Sequence, residues 1–406
     1  MAKTQSSRVS VAEEPADHLD DVEAWNREDA RELERPRDLN QYDISIAARD
    51  WTVETIVQQV KQGNIDLDPE FQRRNAWRDH RRSRLIESFI LSFPVPQIVL
   101  AENPRRKKTF IVIDGKQRLM TIAGLYLKSF RGYWTDPELT GLSVLKNLNG
   151  LELDELLNHP RFATERRQLG NADIRTTIIT GFSDEGVLYD IFYRINTGSV
   201  PLSSQELRQV LNRGDFAKHL LNVTSQQNPL WDVLGIAEPD PRLRDVELLL
   251  RLVAWRSRSQ RYVGNMKPFL DDTMVHFNRS WNDQHDAIGR LVNQLLHGVQ
   301  MTAEVFGEHA GRKFKDGRFE RALNRAVFEV QAYYFSFPGI RQAVRPKRKT
   351  IVSAFRKLSE DKDFTASIEA TTKSIENYKS RFDKYRRMLQ SVLDVDAQPL
   401  ELSRRK

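Results

Sequence analysis

The stretch that most constrains this chain runs from Thr109 to Tyr126. Phe110 to Ile113 are four apolar, mostly β-branched residues, the composition of a short buried strand. They run directly into Asp114-Gly115, a dipeptide that favours a tight turn. A helix is predicted to start at once, because Leu119, Ile122, Ala123 and Tyr126 fall at i, i+3, i+4 and i+7 and form one apolar stripe. The first helical turn contains Lys116, Gln117 and Arg118, which places two cations at the positive end of the helix dipole. That arrangement is unfavourable by a few tenths of a kcal/mol to about 1 kcal/mol. A bound anion reverses the sign: free N–H donors, a glycine that permits close approach and two cationic side chains make an oxyanion cradle. The alternative is a solvated basic turn.

Three segments in order carry a family resemblance. Asp114-Gly-Lys-Gln-Arg118 resembles the Asp-Gly-Gln-Gln-Arg signature of the N-terminal domain of GmrSD-type restriction endonucleases. Phe71-Gln-Arg-Arg-Asn-Ala-Trp77 resembles that family's Tyr-Gln-Arg…Trp box, and the segment from Phe192 to Arg208 resembles its Ile-Asn-Thr…Leu…Glu-Leu box. The resemblance covers residues 50 to 212. It implies a fold related to ParB and sulfiredoxin, in which a glycine-and-arginine loop at a helix start holds nucleotide phosphates. It also implies a nucleoside triphosphate with Mg2+ as the ligand, with Asp114, Gln117 and Arg118 at the catalytic positions and Asp114 placing magnesium or a water. Gln72, Arg73, Gly115, Lys116, Thr121, Asn196 and Thr197 are then the phosphate-binding candidates. Lys116 stands where the family usually has Gln, which adds a charge and bears on hydrolysis more than on binding. The implied setting is DNA restriction or phage defence, with a separate nuclease or defence subunit as partner.

Residues 1 to 45 are charged and poor in aliphatic side chains, so a disordered tail is expected, with order beginning near Asp50. Thr52 can cap a helix in which Val53, Ile56, Val57 and Val60 share a face, and Gly63 sits where an αL residue would end it. Ile65 to Leu67 alternates as a short strand. A helix over His80 to Ser92 buries Leu85, Ile86, Phe89 and Ile90 and is stopped by Phe93-Pro94-Val-Pro96. Gln97 to Ala101 and Thr109 to Ile113 form an antiparallel pair around a basic tip, Arg105 to Lys108, which is either a solvated loop or a contact for a few nucleic-acid phosphates. Residues 128 to 170 read as a loop-rich insertion, Ile174 to Ile179 as a strand, and Glu185 to Ile195 as a helix delivering Asn196-Thr197-Gly198 at its end. Ser203 with Glu206 is a capping box and Leu202 with Leu207 a hydrophobic staple.

Beyond about 215 the pattern is helical, with helices expected over Met266 to Phe277, Ile288 to Val299, Phe319 to Tyr334 and Phe364 to Leu393, and one carrying Val246, Leu249, Leu250 and Val253. The expected fold class is α+β: a small mixed or antiparallel sheet with helices, ParB/sulfiredoxin-like, over 46–212, followed by an all-α domain over 213–395 and a flexible basic tail over 396–406. Two basic clusters stand out, Arg341 to Lys349 and Lys379 to Arg387, and Phe382 and Tyr385 in the second read as core residues beside a wet face.

Composition narrows the function classes. No apolar run approaches the roughly 20 residues of a spanning helix, and the N-terminus lacks the apolar core of a signal peptide, so no membrane partner is expected. The chain has no cysteine, which excludes disulfides, zinc–thiolate sites and iron–sulfur clusters and points to a cytoplasmic protein. An excess of 63 Lys and Arg over 56 Asp and Glu permits a polyanionic partner without requiring one. After residue 215 no nuclease site is legible. His219, His276, His285, His297 and His309 lack a neighbouring acid-and-asparagine constellation, and Glu360-Asp-Lys362 falls in a charged helical connection. Gly115-Lys116 lacks the rest of a Walker loop. The function that the resemblance implies is a nucleotide-binding module of a DNA restriction or phage-defence system, with NTP hydrolysis left open. A ParB-like DNA-binding module whose loop clamps a backbone phosphate is the second reading, and a stand-alone nuclease ranks last.

Overall fold

A computed structural model describes residues 44–67, 77–103, 106–181, 191, 203–369 and 374–402. The tail before residue 44, the Gln72-Arg73 box, the helix expected over 185–195, the Asn196-Thr197-Gly198 turn and the last four residues lie outside the described residues.

Strands β1 (Ser45–Thr52), β2 (Ile98–Glu102), β3 (Phe110–Asp114) and β4 (Asp173–Thr180) form one sheet in the order β1-β4-β2-β3. β2 is antiparallel to β3 as the sequence predicts, but parallel to β4, while β1 is antiparallel to β4, so the sheet is mixed. β1 lies where the sequence predicts the end of a tail. Its first six residues are exposed, so the strand lacks the alternation that marks a half-buried one.

The two faces of the sheet bury different partners, as the period of two requires. Ile98, Leu100, Val112 and Ile174 share a core with helices α1 (Val53–Lys61), α2 (Asp79–Ile90), α3 (Lys116–Tyr126), α4 (Leu153–Asn158) and α5 (Ala163–Asn171). Val99, Ala101, Ile111, Ile113 and Ile179 pack instead against Leu207 and Leu211 of α6 (Ser204–Leu211). The Thr52 hydroxyl accepts from the Thr55 N–H and caps α1. Ile65 makes an isolated bridge to Phe110 in place of the expected strand. α3 is not the amphipathic helix that its stripe predicts: every residue from Leu119 to Leu125 is buried, because α1 and α2 pack on the side turned from the sheet.

Residues 134–152 are largely irregular, as the sequence predicts, but the segment 128–170 is no appendage. Leu139, Leu148, Leu153, Leu156 and Phe162 enter the same core as the sheet. Two carboxylates of α2 clamp this segment: Asp79 accepts from the N–H groups of Thr135 and Asp136 at 2.9 and 3.0 Å. Glu87 accepts from the N–H groups of Ser143, Val144 and Leu145 at 3.2, 2.7 and 2.7 Å and from the Ser143 hydroxyl at 3.1 Å. Burial pushes the Glu87 carboxyl up, but these hydrogen bonds outweigh it and hold the group below the ordinary glutamate range.

The rest of the chain forms a second, larger core. It comprises α7 (Asp215–Thr224), α8 (Pro229–Leu234), α9 (Arg244–Arg258), α10 (Met266–Arg279), α11 (Trp281–Phe306), α12 (Arg325–Phe335), α13 (Pro338–Val344), α14 (Arg348–Leu358), α15 (Lys362–Glu369) and α16 (Ile375–Leu393). This region is helical but not all-α. β5 (Arg312–Lys315) and β6 (Arg318–Leu323) pair as a hairpin where the sequence predicts the start of a helix from Phe319. Its two-residue turn is Asp316-Gly317, with φ of 51° and 77°, the positive values that a tight hairpin demands. The long helix expected from Phe364 divides into α15 and α16, the latter capped by the Ser374 hydroxyl. No helix among the described residues is long and apolar enough to cross a membrane.

Candidate functional site

β3 ends at Asp114 and α3 begins at Lys116, so Gly115 alone turns the chain, with φ 92° and ψ 12°. A Cβ there would lie 3.0 Å from Ile98 Cγ1 and 3.2 Å from Arg118 Nη2, and the left-handed backbone is itself unfavourable for a side chain. Among the described residues no side chain caps α3, whose first turn carries the N–H groups at this end of the sheet.

Arg118 ties the loop to the sheet. Its Nη2 donates to Asp114 Oδ2 at 2.7 Å and to the Gln97 carbonyl, just before β2, at 2.9 Å. The Gln97 side chain in turn accepts from the Thr177 hydroxyl of β4 at 3.1 Å. The Arg118 and Asp114 side chains keep 13% and 24% of their surface exposed, so solvent reaches the pair. Two buried polar atoms here have no hydrogen-bond partner among the described residues, Gln117 Oε1 and Arg118 Nε. Thr121, a phosphate-binding candidate by sequence, is fully buried and donates its hydroxyl to the Gln117 carbonyl at 2.8 Å. Its place is in the core, because α3 is enclosed on all sides one turn beyond its head.

α6 brings further charge to the loop. Leu207 packs in the same small core as Ile113, the residue before Asp114. Glu206 closes the expected capping box: its Oε2 accepts from the Ser203 N–H at 2.6 Å while the Ser203 hydroxyl accepts from the Glu206 N–H at 3.1 Å. That hydroxyl also donates to the Arg242 carbonyl at 2.6 Å. Burial pushes the Glu206 carboxyl above its ordinary range, and Lys116, the Ser203 N–H and Arg242 pull it back only in part. Further along α6, Arg208, 1% exposed, donates to Asp271 at 2.7 Å and fastens the helix to the second core. Gln97, Thr177, Glu206 and Arg242 were not identified as site residues from the sequence. Glu206 was visible only as a cap, and no local pattern marks the other three.

Of the remaining candidates, the described part of the basic tip, Arg106 to Lys108, is exposed. It precedes β3 whereas the cradle follows it, so five residues at about 3.4 Å each put the two at opposite ends of the strand. The second basic cluster is largely neutralised: Arg381 pairs with Glu329, Lys384 with Asp361 and Asp363, and Arg386 and Arg387 with Asp383, while Phe382 and Tyr385 are core. Asp361 of the Glu-x-Lys triplet is therefore the acceptor of an ion pair. His219 lies against the Trp281 ring and His309 stacks on Phe319. Among the described residues no group of three or more His, Asp or Glu could hold a metal ion.

Comparison with known proteins bears on the first core alone. Residues 53–211 match the family described as GmrSD restriction endonuclease, N-terminal domain. The match opens on the first residue of α1 and closes on the last of α6, leaving out β1 and everything from α7 onward. No curated protein and no solved structure matches the chain.

Proposed function

Residues 53–211 are a domain of the GmrSD restriction endonuclease N-terminal family, and from that premise we propose that the protein is the nucleotide-binding module of a DNA restriction or phage-defence system, with its phosphate cradle at the head of α3. The observation that carries this reading is a helix head behind a left-handed glycine that no side chain among the described residues caps, beside which Arg118 Nε and Gln117 Oε1 are buried with no hydrogen-bond partner among those residues. A triphosphate and its waters would supply both a negative charge for the helix dipole and partners for these atoms.

The roles follow from the chemistry of each group. Gly115 lets the phosphate approach the backbone, and the first-turn N–H groups and Lys116 bind it. Arg118, oriented by Asp114 and Gln97, supplies a planar donor. Gln117 Oε1 is an acceptor suited to holding a water, the function hydrolysis would require. Asp114 has one oxygen engaged by Arg118, and its other oxygen fits magnesium, which ordinarily takes one or two carboxylates alongside phosphates and waters. When bound, magnesium neutralises phosphate charge. DNA and a separate nuclease subunit are the partners that a restriction system of this kind needs. The rival reading, a loop that clamps the DNA backbone, gains nothing from the basic tip, which lies at the far end of β3.

The test is thermal unfolding of the wild type and of Arg118→Ala with ATP, GTP, CTP or UTP and magnesium. Stabilisation by at least one nucleotide, lost in the variant, is expected; at about 100 times Kd it amounts to about 2.7 kcal/mol. A phosphate-release assay then separates binding from turnover. Absence of any shift at millimolar nucleotide overturns the reading.

A further inference from the structure

We propose that Arg256, Arg341, Arg345, Lys347 and Lys349 form a contact surface for the phosphate backbone of duplex DNA, built by α9, α13 and the turn into α14. This rests on the reading above for DNA as the partner, and it places the contact in the helical region, outside the matched domain.

The surface is organised around Ser336, the buried residue that follows α12. Arg256, in the last turn of α9, donates from Nε to the Ser336 hydroxyl at 3.2 Å, and its guanidinium carbon lies 4.1 Å from the centre of the Phe337 ring. Arg341 of α13 donates from Nη1 to the Phe335 and Ser336 carbonyls at 2.9 and 2.5 Å. Two guanidinium groups therefore converge on one residue, fixed by neutral oxygens and an aromatic face. Helical backbone continues through Arg345, so that residue follows Arg341 by four positions on one helix face. Beyond it Lys347, Arg348 and Lys349 are exposed where α14 opens. Lys347 donates to the Val392 carbonyl at 2.8 Å, another neutral oxygen, whereas Arg348 pairs with Glu304.

The other basic cluster shows what is unusual here. There Arg381, Lys384, Arg386 and Arg387 each face a carboxylate. Among the described residues none of the five cations of this surface is paired with one. Glu401, whose charge reaches Tyr333 beside Arg256, accepts from Gln260 instead. Burial pulls Arg256 down, and burial with the neighbouring Arg345 charge pulls Arg341 down, so holding these groups charged is costly in the free protein. A polyanion offsets that cost. Nη1 and Nη2 of Arg256 and Nε and Nη2 of Arg341 have no hydrogen-bond partner among the described residues and remain open to solvent. Phosphate oxygens suit such donors, and a guanidinium already held by stacking loses little freedom on binding. The cations are spread over two helices and a turn, which fits a row of phosphates better than a single anion. Because Arg256 covers a face of the Phe337 ring, the surface presents charge rather than a platform for bases, so it should bind duplex of any sequence.

Fluorescence anisotropy of a labelled DNA duplex, titrated with the full chain at salt from about 50 to about 200 mM, tests this. With five phosphate contacts, log Kd should rise with log salt at a slope of about 4.5. Combining Arg345→Gln with Lys349→Gln, two exposed positions, should lower the slope to about 2.7 and weaken binding to every duplex alike. Arg256→Gln alone should lower it by about 1. Arg387→Gln, which removes a charge already paired with Asp383, should change neither slope nor affinity. An unchanged slope in the double variant or in Arg256→Gln overturns the inference, as does tighter binding of an RNA duplex of the same length. If the wild type binds no DNA the inference also fails, while the nucleotide reading still stands or falls on its own thermal shift.

Discussion

The head of α3 and the centre of the helical region both use arginines and carboxylates, yet they differ in what can reach them. In the helical region Glu247 bridges Arg251 and Arg325 at 3.1 and 2.8 Å, and Glu329 bridges Arg251 and Arg381 at 2.6 and 3.5 Å. All five side chains are at most 4% exposed. Burial pushes the Glu247 carboxyl up, but Arg325, Arg251 and Arg208 more than reverse it. At the head of α3 the Arg118–Asp114 pair remains partly open to solvent and sits beside donors that no side chain caps. A charge network closed on itself is structural, because a ligand would have to open the core to enter it. A half-open pair at a helix head can exchange one partner for another.

The comparison can be broken most severely at Glu329. Glu329→Gln removes the countercharge that Arg381 and Arg251 share, Arg251 keeping Glu247, and we expect a loss of about 3–5 kcal/mol in denaturant unfolding. Nucleotide binding by the fraction that remains folded should be retained. Arg118→Ala should behave the opposite way, with binding lost and stability reduced by at most about 1–3 kcal/mol. Equal destabilisation of the two variants would erase the distinction between closed and open pairs.

A smaller effect sharpens the site itself. Gly115→Ala forces a Cβ to 3.0 Å from Ile98 and a side chain into left-handed backbone, for about 1–2 kcal/mol of destabilisation. Because the loop must shift to relieve this, nucleotide affinity should drop as well; unchanged affinity would show that the backbone there takes no part in binding.

Smallest is the effect at Glu87, a buried carboxylate satisfied by backbone. Its folded pKa lies below the unfolded one, so its stabilisation is complete above about pH 4.3 and is lost as pH falls through the folded value. Glu87→Gln should flatten the acid side of the stability profile, measured by urea unfolding between pH 3 and 7, and leave nucleotide binding as in the wild type.

Legibility followed range. The helices over Val53–Lys61 and Asp79–Ile90 and the pairing of β2 with β3 could be read from the sequence because spacing, caps and prolines act within one or two turns. β1 has no alternation to read, α4 is too short, at 6 residues, for periodicity to separate it from loop, and α5, as long as α1, buries only Leu169 and Gly170 and so carries no apolar stripe. The β5–β6 hairpin did carry a signal, Asp316-Gly317, which the helical pattern around it masked. In the candidate site the Asp114 to Arg118 segment was legible as a motif, whereas Gln97 and Arg242 are 21 and 124 positions from Arg118 and no local rule relates them.

By itself, then, the sequence determined the turn at Gly115, the charges in the first turn of α3 and the capping box that starts α6, since each depends on backbone sterics and hydrogen bonds between near neighbours. Only the tertiary structure decided which arginines are enclosed and which remain open, that Thr121 faces the core, and that the capping residue Ser203 meets the Arg242 carbonyl of the helical region. Charge type is a property of a residue, but its hydration and its partner are set by chain segments that meet only when the sheet, α6 and the helical core have packed.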